Sequence, residues 1–459
     1  MSDARGKTYR PWDPQHYRHE AHSPEAKLPQ DDLVFFVLDT VPRLDLSRFY
    51  AAYEEETRGA PPFDPQMMVC VLLYAYCVGV FSSRKIAQAC ERNLAFIAIV
   101  GADRPDFRTI SDFRKLHLEA FCDVFVEVLR IAGEAGLVKL GNVSTDGTKL
   151  QGNASRHKAM SYGYMKKEVD RLREEIEALV TQAYQQDTQD DAALGSRRGD
   201  ALPAELARRE DRVASIEAAM QRLEARAKAD AAAERQRLGK TRRGKAPKEV
   251  DETPADKAQM SFTDPELGIM QTNNKGWDYC GNAQVSVDGA FQIIVACNVT
   301  AAANDKQQAA PMAQLTMAQL EQAGIESPKD ATGAAQKIPA TYDSGYYSEA
   351  AAAAVEQVGF DPYMATGRQR HHGPEPEVAE TPLTAKERMA AKVRTPAGRA
   401  VYARRKVIAE PVFGQIKEAR GFRRFLLRGL QNIRDEWRLV CLTHNLLKIW
   451  RHGWAPIAV

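Results

Sequence analysis

Closely spaced cysteine pairs, long apolar runs and a net charge are all missing from this sequence, and each absence narrows what the chain can be. The seven cysteines (Cys70, Cys77, Cys90, Cys122, Cys280, Cys297 and Cys441) are scattered, odd in number and form no CxxC pair. Zinc ribbons and disulfide scaffolds need such pairs, so these read as core thiols of a reducing compartment. The longest apolar stretch, Met67 to Phe81, is too short for a membrane span and is interrupted by Gly79. No apolar signal core occupies the first residues, so a cytoplasmic protein with no membrane partner is expected. Lys and Arg total 63 against 61 Asp and Glu, a formal charge of +2, which excludes a uniformly basic, histone-like protein. His16, His19 and His22 recur every third residue. No Cys or carboxylate set joins them and Pro14 breaks a helix, so no metal site is expected there.

What remains is a 459-residue chain with 44% hydrophobic residues, enough to bury the cores of two or three domains. Residues 1–30 are polar and proline-punctuated, an arm. From 31 to 136 the pattern is helical throughout, with Met67 to Phe81 apolar nearly all round and therefore central. Ser82-Ser83 caps a short amphipathic helix, and Arg108-Thr109-Ile110-Ser111-Asp112-Phe113-Arg114-Lys115 forms another after a break at Gly101 to Pro105. The pair reads equally as a helix-turn-helix or as an all-α subdomain with a solvated basic face. Residues 165–239 carry two heptad-like stripes, Val169, Leu172, Ile176, Leu179 and Val213, Ile216, Met220, Leu223, predicting an antiparallel helical hairpin. A lone hairpin buries little surface, so its stripes are expected to serve an interaction. Residues 240–256 form a charged linker. Strands are predicted over Ala283–Asp288, Gln292–Thr300, Ile338–Tyr342 and Phe360–Ala365, with helices between them and a basic helical tract from Val401 to Trp450. The fold class is α/β: a mixed sheet over 137–164 and 257–450, interrupted by the hairpin.

Charge is concentrated late in the chain. Lys386 to Lys448 holds 16 basic and 5 acidic residues, +11, leaving −9 for the rest. Such a block in an otherwise acidic chain is the footprint of a polyanion, namely nucleic acid. Three acids stand out by position. Asp146 and Asp343 follow predicted strands in Val143-Ser144-Thr145-Asp146-Gly147-Thr148 and Ile338-Pro339-Ala340-Thr341-Tyr342-Asp343. Glu410 lies on a helix beside the basic tract. Singly, each reads as a turn, a cap or a solvated glutamate. Together they make a set of hard oxygen donors for divalent cations. Two such ions about 4 Å apart can activate an attacking oxygen and stabilise a leaving one at a phosphodiester.

Several motifs resemble those of the bacterial insertion-sequence transposases with an Asp-Asp-Glu, retroviral-integrase-like core. They are Asp146-Gly147-Thr148-Lys149 with Asn153-Ala154-Ser155, Asn282-Ala283-Gln284, Asn304-Asp305, Asp343-Ser344-Gly345-Tyr346-Tyr347-Ser348, and Glu410-Pro411-Val412-Phe413-Gly414 with Lys417. The helical block before them is similar to the domain preceding this core in the same group. The resemblance implies a ribonuclease-H-like catalytic core, with Asp146, Asp343 and Glu410 as catalytic metal ligands for two Mg2+ ions, Mn2+ substituting. It also implies cleavage at element ends and strand transfer into target DNA. The alternatives are a metal-dependent nuclease without strand transfer, or a non-cutting DNA-binding regulator of the same descent. In the family a Tyr and an Arg precede the Glu and a Lys follows it. Tyr402, Arg405 and Lys417 match, but Arg405 stands one residue too far from Glu410, so Lys406 is an alternative for its role. Expected DNA contacts are Arg108, Arg114 and Lys115 for base reading, and Tyr402, Arg405, Lys406, Lys417, Arg420, Arg423, Arg424 and Arg428 for phosphates. The partner is double-stranded DNA, bound by a homo-oligomer.

Overall fold

A computed structural model describes residues 9–13, 27–54, 60–154, 159–194, 204–239, 251–272, 276–367 and 384–454. The three arm histidines and residues 240–250 of the expected linker lie outside the described residues. The chain divides into two compact units: residues 1–151 with 281–459, and residues 152–280.

The first unit opens with helices α1 (Leu33–Thr40), α2 (Ser47–Ala51), α3 (Pro65–Cys77), α4 (Ser83–Arg92), α5 (Leu94–Val100), α6 (Phe107–Leu116) and α7 (Ala120–Glu134). Asp32, Asp64, Asn93 and Asp106 start α1, α3, α5 and α6, each side-chain oxygen accepting a first-turn N–H. Helix α3 is buried on every side from Met67 to Cys77, as its unbroken apolar run requires. The expected two-helix motif is a three-helix one. Buried α5 stands between α4 and α6, because Asn93 starts a new helix where a turn was expected. These helices, expected as a domain of their own over 31–136, fall in the same compact unit as the sheet. Strand β1 (Val143–Gln151) follows, running straight through Asp146-Gly147 instead of turning there.

The second unit holds β2 (Ala159–Ser161), α8 (Tyr162–Leu194), α9 (Ala204–Gly239), β3 (Gln259–Ser261) and β4 (Gly268–Gln271). Strands β2 and β3 pair antiparallel at the base of the helical hairpin. The two apolar stripes face each other: Tyr162, Met165, Val169 and Leu172 pack with Ile216, Ala219, Leu223 and Met260. Ion pairs Arg173–Glu217 (2.6 Å) and Arg209–Glu175 (3.0 Å) flank this seam. Val169, Leu172, Ile216 and Leu223 of the stripes therefore serve the hairpin's own core, with Val213 and Met220 packed against it.

Strand β5 (Trp277–Asp288) begins in the second unit, paired with β4, and continues into the first. There it joins β6 (Ile294–Thr300), β7 (Ile338–Tyr342) and β8 (Phe360–Met364) in a sheet ordered β6-β5-β1-β7-β8. The β5–β6 pair is antiparallel, whereas β7 runs parallel to both β1 and β8. The sheet is covered by α10 (Ala309–Gln322), α11 (Glu349–Gln357), α12 (Ala385–Arg394), α13 (Pro396–Ala403), α14 (Arg405–Gly414) and α15 (Leu430–Gly453). Helix α14 packs on β1, and α15 on β6, α7 and α3. The outer edge of β6 is closed by α15. Asn445 accepts Ile294 N–H and donates to Ile294 O, both at 2.8 Å, while Arg434 donates to Val299 O. The expected helical tract from Val401 to Trp450 is interrupted at residues 420–429, where Gly421 and Gly429 take φ of +77° and +84°. No described helix is long and apolar enough to cross a membrane.

Candidate active site

Parallel pairing of β1 with β7 sets the site. Its last register pair is Thr145 with Tyr342, so Asp146 and Asp343 stand side by side, one residue further on. Asp343 ends its strand by capping a 3-10 turn, its Oδ1 accepting the Gly345 N–H at 2.6 Å. Asp146 Oδ1 accepts the Gly147 N–H at 2.8 Å. Glu410 projects from the middle of α14, about half exposed.

A cation links these elements. Arg405 Nη1 lies 3.5 Å from Asp146 Oδ2 and Nη2 lies 3.7 Å from Glu410 Oε1, with only 14% of the side chain exposed. Tyr402 accepts a hydrogen bond from Arg405, and burial raises its phenol pKa. Lys417, in the π-helical turn Gln415–Ala419, hydrogen-bonds the Thr148 hydroxyl of β1. Asp146 is pushed up to about 6, first by burial and further by the charges of Asp343 and Glu410. Gly147 N–H and Arg405 oppose that rise. The electrostatic consequence is that added positive charge beside Asp146 would favour its ionised form.

Among the described residues no three His, Cys, Asp or Glu side chains converge tightly enough to hold a metal ion. The donor set nevertheless suits a hard divalent cation: three carboxylates, one partly neutralised by an arginine reaching across the site.

Comparison with known families meets this geometry. Residues 22–116 match a family described as Transposase domain (DUF772). Residues 351–450, which include Glu410 and most of the basic tract, match the Transposase DDE domain. This chain is a DDE transposase. No curated protein and no solved structure matches it. The family is enzymatic, binds DNA and generally uses a divalent metal.

Within the transposase, Tyr402, Arg405 and Lys417 stand at the acids, and the other residues expected to touch DNA separate into three groups. Lys406, Arg423, Arg424 and Arg428 are exposed, with Arg423 paired to Glu418. On α6, Arg108 lies over the Phe107 ring and Lys115 is 3.5 Å from Asp112, both on the surface. Arg114 and Arg420 are corrections. Arg114 is 5% exposed and donates to Phe81 O at 2.9 Å and Tyr76 Oη at 3.2 Å. Arg420 is 8% exposed and donates to Thr443 Oγ1 at 2.9 Å and Val440 O at 3.1–3.2 Å. Each arginine faces inward to donate to a distant carbonyl, Phe81 O in the loop after α3 or Val440 O within α15, which a charge count does not reveal. The ambiguity over the arginine before Glu410 is also resolved: Arg405 reaches the carboxylates, and Lys406 faces solvent.

The site has a polar backing that sequence reasoning did not assign. Asn282 and Gln284 flank Ala283 on β5 and are fully buried, where an inner strand would ordinarily carry aliphatic residues. That alternation of polar residues in a predicted strand was the available signal.

Proposed function

We propose that this transposase cuts phosphodiesters at the ends of its element by hydrolysis and then joins the freed 3′-hydroxyl to target DNA. Asp146, Asp343 and Glu410 would hold Mg2+, which supplies positive charge beside Asp146 and lowers the pKa of the attacking water or hydroxyl. The observation that carries this reading is the placement of Asp146 and Asp343 on adjacent parallel strands, with Arg405 reaching from Asp146 to Glu410. The sheet order, with the antiparallel β5–β6 pair on one side of β1 and the parallel β7 and β8 on the other, supports a ribonuclease-H-like core.

The chain's own residues divide the remaining work. Arg405 holds the Asp146 and Glu410 carboxylates in a common orientation, and Tyr402 steadies the guanidinium. Lys417 and the exposed Arg423, Arg424 and Arg428 hold DNA phosphates beside the scissile bond. Exposed Arg108 and Lys115 on α6 are the residues left to meet the element end. Cytoplasmic location and assembly as a homo-oligomer on DNA belong to the same proposal. The test is incubation of the full chain with labelled element ends, target DNA and Mg2+. Joined products support the reading. Cleavage without joining identifies a nuclease, and end binding without cleavage a regulator.

A further inference from the structure

Behind β1, on the side away from the Asp146 carboxylate, lies a chain of hydrogen bonds that nothing so far explains. Tyr346, fully buried and three residues after Asp343, donates its hydroxyl to Gln284 Oε1. The Gln284 amide nitrogen donates to Asp305 Oδ1 at 2.8 Å and to Asn282 Oδ1 at 3.0 Å. Asn282 Nδ2 reaches the same Asp305 oxygen at 2.7 Å, and Lys149 Nζ of β1 approaches it at 3.8 Å. The assembly ends against Gly147. A Cβ there would collide with the Gln284 amide and stand 3.0 Å from Asp305 Oδ1. The missing side chain at 147 is what lets the network touch the β1 backbone beside Asp146.

A polar cluster in a sheet interior is expensive unless every group is paired, and an aliphatic face would hold these strands together at less risk. What the cluster adds is a fixed connection. The backbone at Gly147 lies against one amide, Gln284, and the turn capped by Asp343 is hydrogen-bonded to it through Tyr346, while the Asp305 carboxylate fixes the other end of that amide. Parallel register brings the two aspartates together, but it leaves freedom in the strand end at 343 and in the peptide at 146–147. The network removes that freedom.

We propose that Tyr346, Gln284 and Asp305 are positioning residues that set the separation of Asp146 and Asp343 for divalent-metal binding; this rests on the reading of those aspartates as metal ligands. Outer-sphere groups that orient ligands typically change metal affinity by about 10–100-fold when removed.

The experiment measures Mn2+ binding to the full chain by the loss of the free-ion paramagnetic resonance signal, without DNA and without turnover. Variants are Tyr346→Phe and Asp305→Asn, with Asp146→Asn as ligand control and Ser286→Ala as packing control. Ser286→Ala removes a different buried hydrogen bond between the same strands, the 2.8 Å contact with Thr145. Thermal unfolding of each variant is recorded alongside. The expected result is a roughly tenfold or greater rise in Mn2+ Kd for Tyr346→Phe and Asp305→Asn, loss of binding for Asp146→Asn, and wild-type binding for Ser286→Ala. In cleavage assays the Mn2+ concentration for half-maximal rate should rise in step, with the rate at saturating Mn2+ largely recovered. Loss of binding in Asp146→Asn with unchanged Kd in Tyr346→Phe, the variant least able to disturb folding, overturns the positioning role alone. Wild-type binding in Asp146→Asn overturns the ligand reading and this inference with it. An equal weakening by Ser286→Ala assigns the effect to packing and also overturns the inference.

Discussion

Arg405 Nη1 lies 3.5 Å from Asp146 Oδ2 although 259 residues separate the two in the chain. The same guanidinium reaches Glu410, five residues along its own helix, so one cation serves acids from two elements. The charges of Asp343 and Glu410 act against ionised Asp146, and a divalent ion or an arginine offsets that repulsion.

Replacing Arg405 by Ala should therefore lower cleavage by about a hundredfold, the usual consequence of removing one preorganised cationic donor from a reaction centre. Lys406→Ala should leave cleavage within about twofold, since Lys406 is exposed beside that site. Single-turnover cleavage of element ends by both variants checks this. Equal losses would return the role to the pair.

Asp146→Ala, Asp343→Ala and Glu410→Ala should each abolish cleavage and leave end binding within a few-fold of wild type, because phosphate contacts come from other residues. Gel-shift and cleavage assays on the same DNA separate the two effects. Wild-type cleavage by any variant removes that residue from the site.

Arg114→Ala should act on stability, not on recognition. It strips donors from Phe81 O and buried Tyr76, a loss of about 1–3 kcal/mol for buried polar groups left without their partner. Denaturant unfolding should show that loss. Competition between true and scrambled ends should show wild-type discrimination for whatever fraction remains folded.

Glu436 gives the fold a pH dependence. Its carboxylate accepts the N–H groups of Leu426 (3.0 Å) and Leu427 (3.2 Å), yet full burial pushes its pKa up to about 7, with Arg114 opposing. The folded chain thus holds this proton more tightly than the unfolded chain, whose glutamate titrates near 4.3. The resulting stability is complete below that value and is lost as pH rises through about 7. In Glu436→Gln, the decline in unfolding free energy between pH 5 and pH 8 should be shallower than in wild type. An unchanged slope would mean that Glu436 stays ionised in the folded chain.

Arg424→Ala should weaken binding to true and scrambled DNA alike and lower the magnitude of the salt slope by about one, the signature of one lost phosphate contact. Affinities measured across a salt series on both DNAs decide it. Selective loss of the true end would make Arg424 a base reader.

Much of this transposase is legible in one dimension. Element type follows from local periodicity, so β7 and the hairpin helices lie where apolar spacing puts them. The three acids were found by their places at strand ends and beside a basic tract, with a family resemblance supplying their joint role. Other features depend on partners far away in the chain. The helix break at 420–429 answers to glycines whose positive φ only a packed turn calls for. The inward direction of Arg114 and Arg420 depends on carbonyls from α15 and the segment after α3, tens of residues away. Whether Arg405 or Lys406 faced the acids was undecidable from spacing, since adjacent helical positions differ by 100° and only the packing of α14 on β1 chose between them. Sequence by itself determined most of the main strands and helices and singled out the three acids. Tertiary structure alone decided which charges meet, because a charge's partner is set by strand register and helix rotation, and neither is written in any local stretch of the chain.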